Sequence, residues 1–167
     1  MKEIDNLIEQ FEQFNSWVNS LEKVDDALFF TPINEGKWTP AEIITHITYW
    51  DRYILEELMP KMKKDAKIAS VAFDVINQPA SKHALSGVTK TQLIQEQIEA
   101  RNYLVRTLEE KSEEEFFATF ILNGEEIDQY SGYPHSLLNY ISAFVWHDNH
   151  HKEQIEEYLN RNQVSNL

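Results

Sequence analysis

Residues 38–58 read WTPAEIITHITYWDRYILEEL, and this stretch decides the fold. Thr39-Pro40-Ala41-Glu42 is a helix start. Thr39 at the N-cap can accept a backbone N–H of the first turn, and Glu42 can reach back to the N-cap amide. Pro40 takes the first helical position, where its missing N–H is not needed. Trp38 and Ile43 flank the box as a hydrophobic staple. Apolar residues then recur at three- and four-residue steps through Ile44, Ile47, Trp50, Ile54, Leu55 and Leu58, which puts them on one helix face. Pro60 marks the end of this helix or a kink in it.

The same period extends outward in both directions. Ile4, Leu7, Ile8, Phe11, Phe14, Val18 and Leu21 form one face of a first helix, opposite Lys2, Glu9, Glu12 and Glu22. A third helix starts at Thr89, with Gln92 completing a second capping box between Val88 and Leu93. Ile94, Ile98, Leu104, Val105 and Leu108 carry it to about Lys111. A fourth runs from about Ser136 to about Arg161 on Leu137, Leu138, Ile141, Phe144, Val145, Ile155, Tyr158 and Leu159. Residues 61–87 read as a long connection, broken by Pro79 and Gly87, with one short helix expected near 69–76. Residues 112–134 read as a second irregular stretch. The acidic run 109–115 reads as a solvated helix end. No alternating strand and no internal repeat is found. The expectation is an all-α chain: one four-helix-bundle domain over residues 1–161 and a frayed polar tail at 162–167. The long connections before the third and fourth helices leave room for crossovers.

Composition narrows the function. The 167 residues hold 15 Lys+Arg against 28 Asp+Glu, a formal net charge of −13. Such a chain repels phosphate, so neither nucleic acid nor an anionic membrane surface is an expected partner. No run approaches the ~18 apolar residues of a membrane span. The start Met1-Lys2-Glu3-Ile4-Asp5 lacks the apolar core of a signal peptide, and a cytoplasmic location is expected. With no cysteine, disulfides, thiolate nucleophiles and Cys-ligated metals are excluded.

Six histidines remain, and their placement is the most informative feature of the chain. His147 and His151 stand four residues apart, one turn above each other, as a helix offers two imidazoles to one metal ion. At ~100° per residue, His151 lies about 40°, Phe144 about 60°, Ile155 about 80° and Ile141 about 120° from His147 on the same side. Both histidines therefore sit on the inward edge of the apolar stripe. His46 holds the same edge position on the second helix. Three histidines suffice for a divalent ion with positions left open. A helical His pair alone is more often ordinary half-buried packing than a ligand pair, and the matching edge position of His46 leaves both readings open. His150 falls toward the rim, and His83 and His135 fall in expected loops as surface residues. Glu42 and Asp148 are the candidates for a general base or for orienting an imidazole, although the capping box already accounts for Glu42. Tyr49, Tyr53 and Tyr140 are placed either to orient a substrate or to pack.

Trp38 to His46, followed by Trp50, resembles the second-helix signature of the DinB-like proteins. His147-Asp-Asn-His-His151-Lys-Glu-Gln154-Ile155 resembles that family's last helix. The resemblance covers nearly the whole chain, to Tyr158. It implies a DinB-like four-helix bundle with a metal site of His46, His147 and His151, filled by zinc or nickel. It implies a metal-dependent thiol S-transferase or a hydrolase acting on small reactive compounds. A transferase of this kind takes a low-molecular-weight thiol such as bacillithiol, mycothiol or glutathione. Members frequently pair, so a homodimer is expected. One departure is Lys152-Glu153, where the family often has Arg-Gly. Two other functions stay open. One is a non-catalytic bundle that binds or sequesters a small molecule, which the 9 Phe, 7 Tyr and 4 Trp would suit. The other is an interaction protein that pairs through an exposed helix face.

Overall fold

The computed structural model describes residues 1–164. Four long helices form the bundle: α1 (Lys2–Ser20), α3 (Pro40–Tyr53), α5 (Lys90–Glu109) and α7 (Leu137–Val164). Three shorter ones lie between them: α2 (Asp26–Phe29), α4 (Phe73–Ala84) and α6 (Glu113–Phe117). The apolar positions read from the first helix are all buried, from Ile4 to Leu21.

The box at residues 39–42 forms as expected. Glu42 N–H donates to Thr39 Oγ1 at 3.0 Å, and the Glu42 carboxylate accepts from Thr39 N–H at 3.1 Å. The start of α5 is capped on one side only. Gln92 N–H donates to Thr89 Oγ1 at 3.1 Å, but the Gln92 side chain turns forward to Glu96 instead of back to the cap. Past Tyr53 the second bundle helix widens into a π-helical turn, Ile54–Leu58, and then tightens into a 3₁₀ turn, Met59–Lys61, around Pro60.

Three further expectations are corrected. The short helix near 69–76 is instead α4, twelve residues from Phe73 to Ala84 with Pro79 inside it. Pro79 is exposed, so its ring faces solvent while the helix packs along α3. The stretch 112–134 is not wholly irregular. Ser112 and Glu115 form a capping box for α6, and Ile121–Leu122 (β2) pairs in parallel with Lys67–Ile68 (β1). This two-stranded rung ties the two long connections together. Finally α7 continues through Val164, three residues beyond Arg161, with Asn162 Nδ2 donating to the Tyr158 carbonyl at 2.8 Å. Residues 165–167 of the expected tail lie outside the described residues.

Helix direction follows from who meets whom. Lys90, at the start of α5, donates to the Glu22 carbonyl at 2.9 Å just beyond the end of α1. The Met1 amino group lies 3.7 Å from Glu113, past the end of α5. So α1 and α5 run oppositely. Thr48 meets Gln97 and Asp51 meets Arg101, rungs that climb together, so α3 and α5 run the same way. The chain returns between them along α4. Leu137 and Ile141 share a cluster with Ile4, Leu7 and Ile8, and Ile155 shares one with Phe14 and Val18, so α7 runs with α1. Apolar packing thus falls into two clusters along the bundle axis. Arg101, Asp51, Gln97 and Thr48 lie buried at the level between them.

Candidate metal centre

Helices α3 and α7 build the site, with α4 packed beside it along α3. The capped start of α3 fixes the register of His46 one turn later. The middle of α7 presents His147 and His151 on one face. The ring centroids of His46 lie 5.2 Å from those of both His147 and His151, and the latter two are 4.5 Å apart. One ligand nitrogen from each imidazole falls within 4.8 Å of the other two. The structure therefore brings together all three histidines singled out by spacing.

The outer nitrogens show which way the lone pairs point. Trp50 Nε1 donates to Asn77 Oδ1 at 2.9 Å, and an indole N–H can only donate, so this Asn77 atom is the carbonyl oxygen. The same oxygen lies 2.7 Å from His46 Nδ1, which must then carry the proton. His46 Nε2 is left as a lone pair. His151 Nδ1 is 2.9 Å from Gln154 Oε1, and His147 Nδ1 is 3.3 Å from the Asp148 carboxylate. Each imidazole has an oxygen on its outer nitrogen, the pattern that orients histidine ligands around a metal. Inside, His46 Nε2 and His147 Nε2 stand 3.1 Å apart. Two lone pairs at that distance repel unless a cation or a proton lies between them. Two nitrogens bound at ~2.05 Å to a tetrahedral ion are roughly 3.3 Å apart, so the donor set fits a divalent ion.

Electrostatics agree with that fit. Burial, followed by the neighbouring imidazoles of His147 and His151, lowers the His46 pKa to about 3. Burial and then His147 lower the His151 pKa to about 4. Both rings are neutral at pH 7, as metal ligation requires. Around them stands an aromatic wall. Trp38 lies 5.0 Å from His46 and Phe144 5.1 Å from His147 between ring centroids. Trp50 packs against Tyr53, Phe73 and Phe144. Phe73, on α4, is 72% exposed and stands at the rim of this wall. The His147 side chain is 27% exposed, so the site opens to solvent on its α7 side.

The sequence matches the family model of the DinB superfamily over residues 7–155. The chain belongs to the DinB superfamily. A solved structure from Bacillus subtilis, YfiT, has a similar fold, with a TM-score of 0.69 and 18% identity over 96% of this chain and 87% of that chain. YfiT is described as a probable metal-dependent hydrolase with an unusual four-helix bundle topology. No curated protein matches the sequence.

In this DinB-superfamily chain, the other candidates divide by what they touch. Glu42 is buried with both oxygens engaged, one by the Thr39 cap and the other by Ser81 Oγ at 2.5 Å. Asp148 bridges the site and the interior, facing His147 on one side and Arg101 at 2.8 Å on the other. Tyr53 accepts from Val71 N–H at 3.0 Å and so pins the connection before α4. The Tyr140 phenol, stacked on Phe144, is pushed up in pKa by burial. Tyr49 lies 6.0 Å from the His83 ring, on α4.

Two histidines expected on surface loops are placed differently. His83 is helical and half-buried, with Nε2 2.9 Å from Glu96. His135 is buried beside Phe120. His150 is at the rim as expected, exposed and stacked on Trp146.

Sequence reasoning missed Asn77, Gln97, Asp51 and Arg101. Asn77 falls in what the sequence reads as a connection. Arg101 and Asp51 are of types normally found at the surface, yet both are fully buried. A signal existed: at ~100° per residue, Arg101 falls within about 20° of Leu108, on the apolar stripe of its own helix.

Proposed function

We propose that this chain is a divalent-metal-dependent enzyme acting on small reactive compounds, with the metal held by His46, His147 and His151. The observation that carries it is the convergence of three imidazoles, one nitrogen of each within 4.8 Å of the other two, with an oxygen beside every Nδ1. Zinc and nickel suit such a neutral nitrogen set. When bound, the ion supplies Lewis acidity that brings a weakly acidic nucleophile, water or a small thiol, to its anion near pH 7.

The chain's own residues do the rest. Asn77, Asp148 and Gln154 hold the three rings in one tautomer and one orientation. Trp38, Trp50 and Phe144 exclude water from the buried side and offer flat apolar surface to a substrate. The carboxylates of Glu42 and Asp148 are both engaged in contacts within the protein. With those carboxylates occupied, the nucleophile, thiol or water, would draw its ionisation from the metal and not from a carboxylate base. Both a thiol S-transferase, which the family resemblance implies, and a hydrolase are consistent with this. The aromatic wall also supports the alternative of a bundle that binds a small apolar molecule without turning it over. Homodimer formation, which rests on the family resemblance, and a cytoplasmic location, which rests on the sequence reading, belong to the same proposal.

The test is a paired assay on zinc- and nickel-loaded protein. A low-molecular-weight thiol is offered with an electrophilic aromatic halide, and ester and amide substrates are offered alone. Metal-dependent thioether formation supports the transferase. Ester or amide cleavage alone moves the assignment to a hydrolase. Stoichiometric ligand binding that survives chelation, with no turnover, moves it to the binding protein.

A further inference from the structure

We infer that Arg101 is a positioning residue for the metal centre, acting through Asp148 on the His147 ligand. The inference rests on the metal-site assignment above and extends it to residues that touch neither metal nor substrate.

Arg101 meets all four bundle helices at one point. It is fully buried on α5. Its Nε donates to Asp51 Oδ2 at 2.8 Å and its second terminal nitrogen to Asp51 Oδ1 at 3.0 Å, a two-pronged grip on α3. The other terminal nitrogen donates to the Phe11 carbonyl on α1 at 2.9 Å, and the guanidinium lies 3.7 Å from the centre of the Phe11 ring. The nitrogen shared with Asp51 also lies 2.8 Å from Asp148 Oδ2 on α7, an ion pair by distance without hydrogen-bond alignment. Gln97 steadies the far carboxylate, donating to Asp51 Oδ2 at 2.9 Å while accepting from Thr48 Oγ1 at 2.6 Å.

The guanidinium is planar and its donors point in fixed directions. With Asp51 and Phe11 gripping three of them, the guanidinium charge is held in place beside Asp148 by the body of the bundle. Asp148 Oδ2 being held there, its Oδ1 faces His147 Nδ1 at 3.3 Å. A carboxylate that fixes a histidine ligand's tautomer and angle typically matters 10- to 100-fold to metal affinity. Arg101 and Asp51 are what fix that carboxylate. A purely structural ion pair would need no member next to a ligand. Here the chain from Thr48 through Gln97, Asp51, Arg101 and Asp148 ends on the imidazole.

The test compares Arg101→Lys and Asp51→Asn with wild type and with Leu108→Ala, a buried change on the same helix away from the site. Arg101→Lys keeps a buried cation but loses the fork, and Asp51→Asn keeps the shape but loosens the grip. Zinc affinity is measured by competition with a chromogenic chelator. Cobalt(II) absorption reports ligand geometry, and thermal melting reports the fold. Both relay variants should melt cooperatively, bind zinc about tenfold more weakly and show an altered cobalt spectrum. Leu108→Ala should melt earlier with unchanged affinity and spectrum. Relay variants that lose stability while keeping wild-type affinity and spectrum would overturn the inference, as would failure of both to fold, since their role would then be the bundle itself. Wild-type protein that binds no metal sinks the parent assignment instead, so the two failures are distinguishable.

Discussion

Asn77→Ala is the most revealing single change. One oxygen of Asn77 accepts from two buried donors at once, His46 Nδ1–H at 2.7 Å and Trp50 Nε1–H at 2.9 Å. Both rings are nearly buried, with His46 6% and Trp50 5% exposed. A buried donor left without a partner costs about 1–3 kcal/mol. Asn77 itself is only half-buried, so water can replace part of what is lost. The sum for two donors is then placed near the lower bound, about 2–3 kcal/mol. For a chain of this size, each kcal/mol moves Tm by roughly 2–4 °C, so the metal-free protein should melt about 5–10 °C earlier. The larger effect is on the metal. Without the oxygen, His46 is free to move its proton to Nε2 and turn its donor edge toward His147. Zinc affinity should fall about 10- to 100-fold. Calorimetry of the chelated protein and chelator competition measure the two effects separately. An unchanged melt together with affinity within twofold of wild type would refute the tautomer argument and the assignment of α4 as part of the site.

Three further changes test other parts of the account. Glu42→Gln keeps an acceptor for the Thr39 cap, so denaturant unfolding should show a loss of at most about 1 kcal/mol and metal affinity should not change; a large loss of activity at full metal loading would restore Glu42 as a base. Pro79 is exposed inside α4, where proline costs a helix up to about 3 kcal/mol relative to alanine, so Pro79→Ala should raise the Tm read by calorimetry. Acid should weaken the metal-free fold. His46 and His151 have folded pKa values of about 3 and about 4, lowered mainly by burial, against 6.5 when unfolded. The unfolded chain then binds more protons, and stability present above about pH 6.5 is lost as pH falls toward 4 and then 3. A melting temperature that stays flat from pH 7 to pH 4 would contradict the burial of neutral imidazoles.

The parts of this molecule visible in its sequence are those set by local spacing. The box at Thr39–Glu42 and the stripes of α1, α3, α5 and α7 each depend on residues within two or three turns of one another. The same holds for His147 and His151, and His46 joined them because its edge position on α3 matched theirs. What depended on distant neighbours did not show. Pro79 looked like a breaker because proline is judged by its own helix, whereas packing along α3 holds α4 together around it. His135 is in a loop as read, but it looked like a surface residue because its burial beside Phe120 comes from the connection folding back on itself, with Phe120 N–H donating to the His135 carbonyl. Arg101 and Asp51 looked like surface charges because each is tolerable in the core only with the other, 50 residues away in sequence. The polar layer at the centre of the bundle is thus a tertiary feature, and it is also what supports the site.

The central claim is that His46, His147 and His151 hold one divalent ion. Elemental analysis of untagged protein, wild type beside His147→Ala, tests it most directly. The account predicts about one zinc or nickel per chain in the wild type and little or none in a variant that still folds. An absence of bound metal in wild-type protein, even after reconstitution with zinc and with nickel, would contradict it.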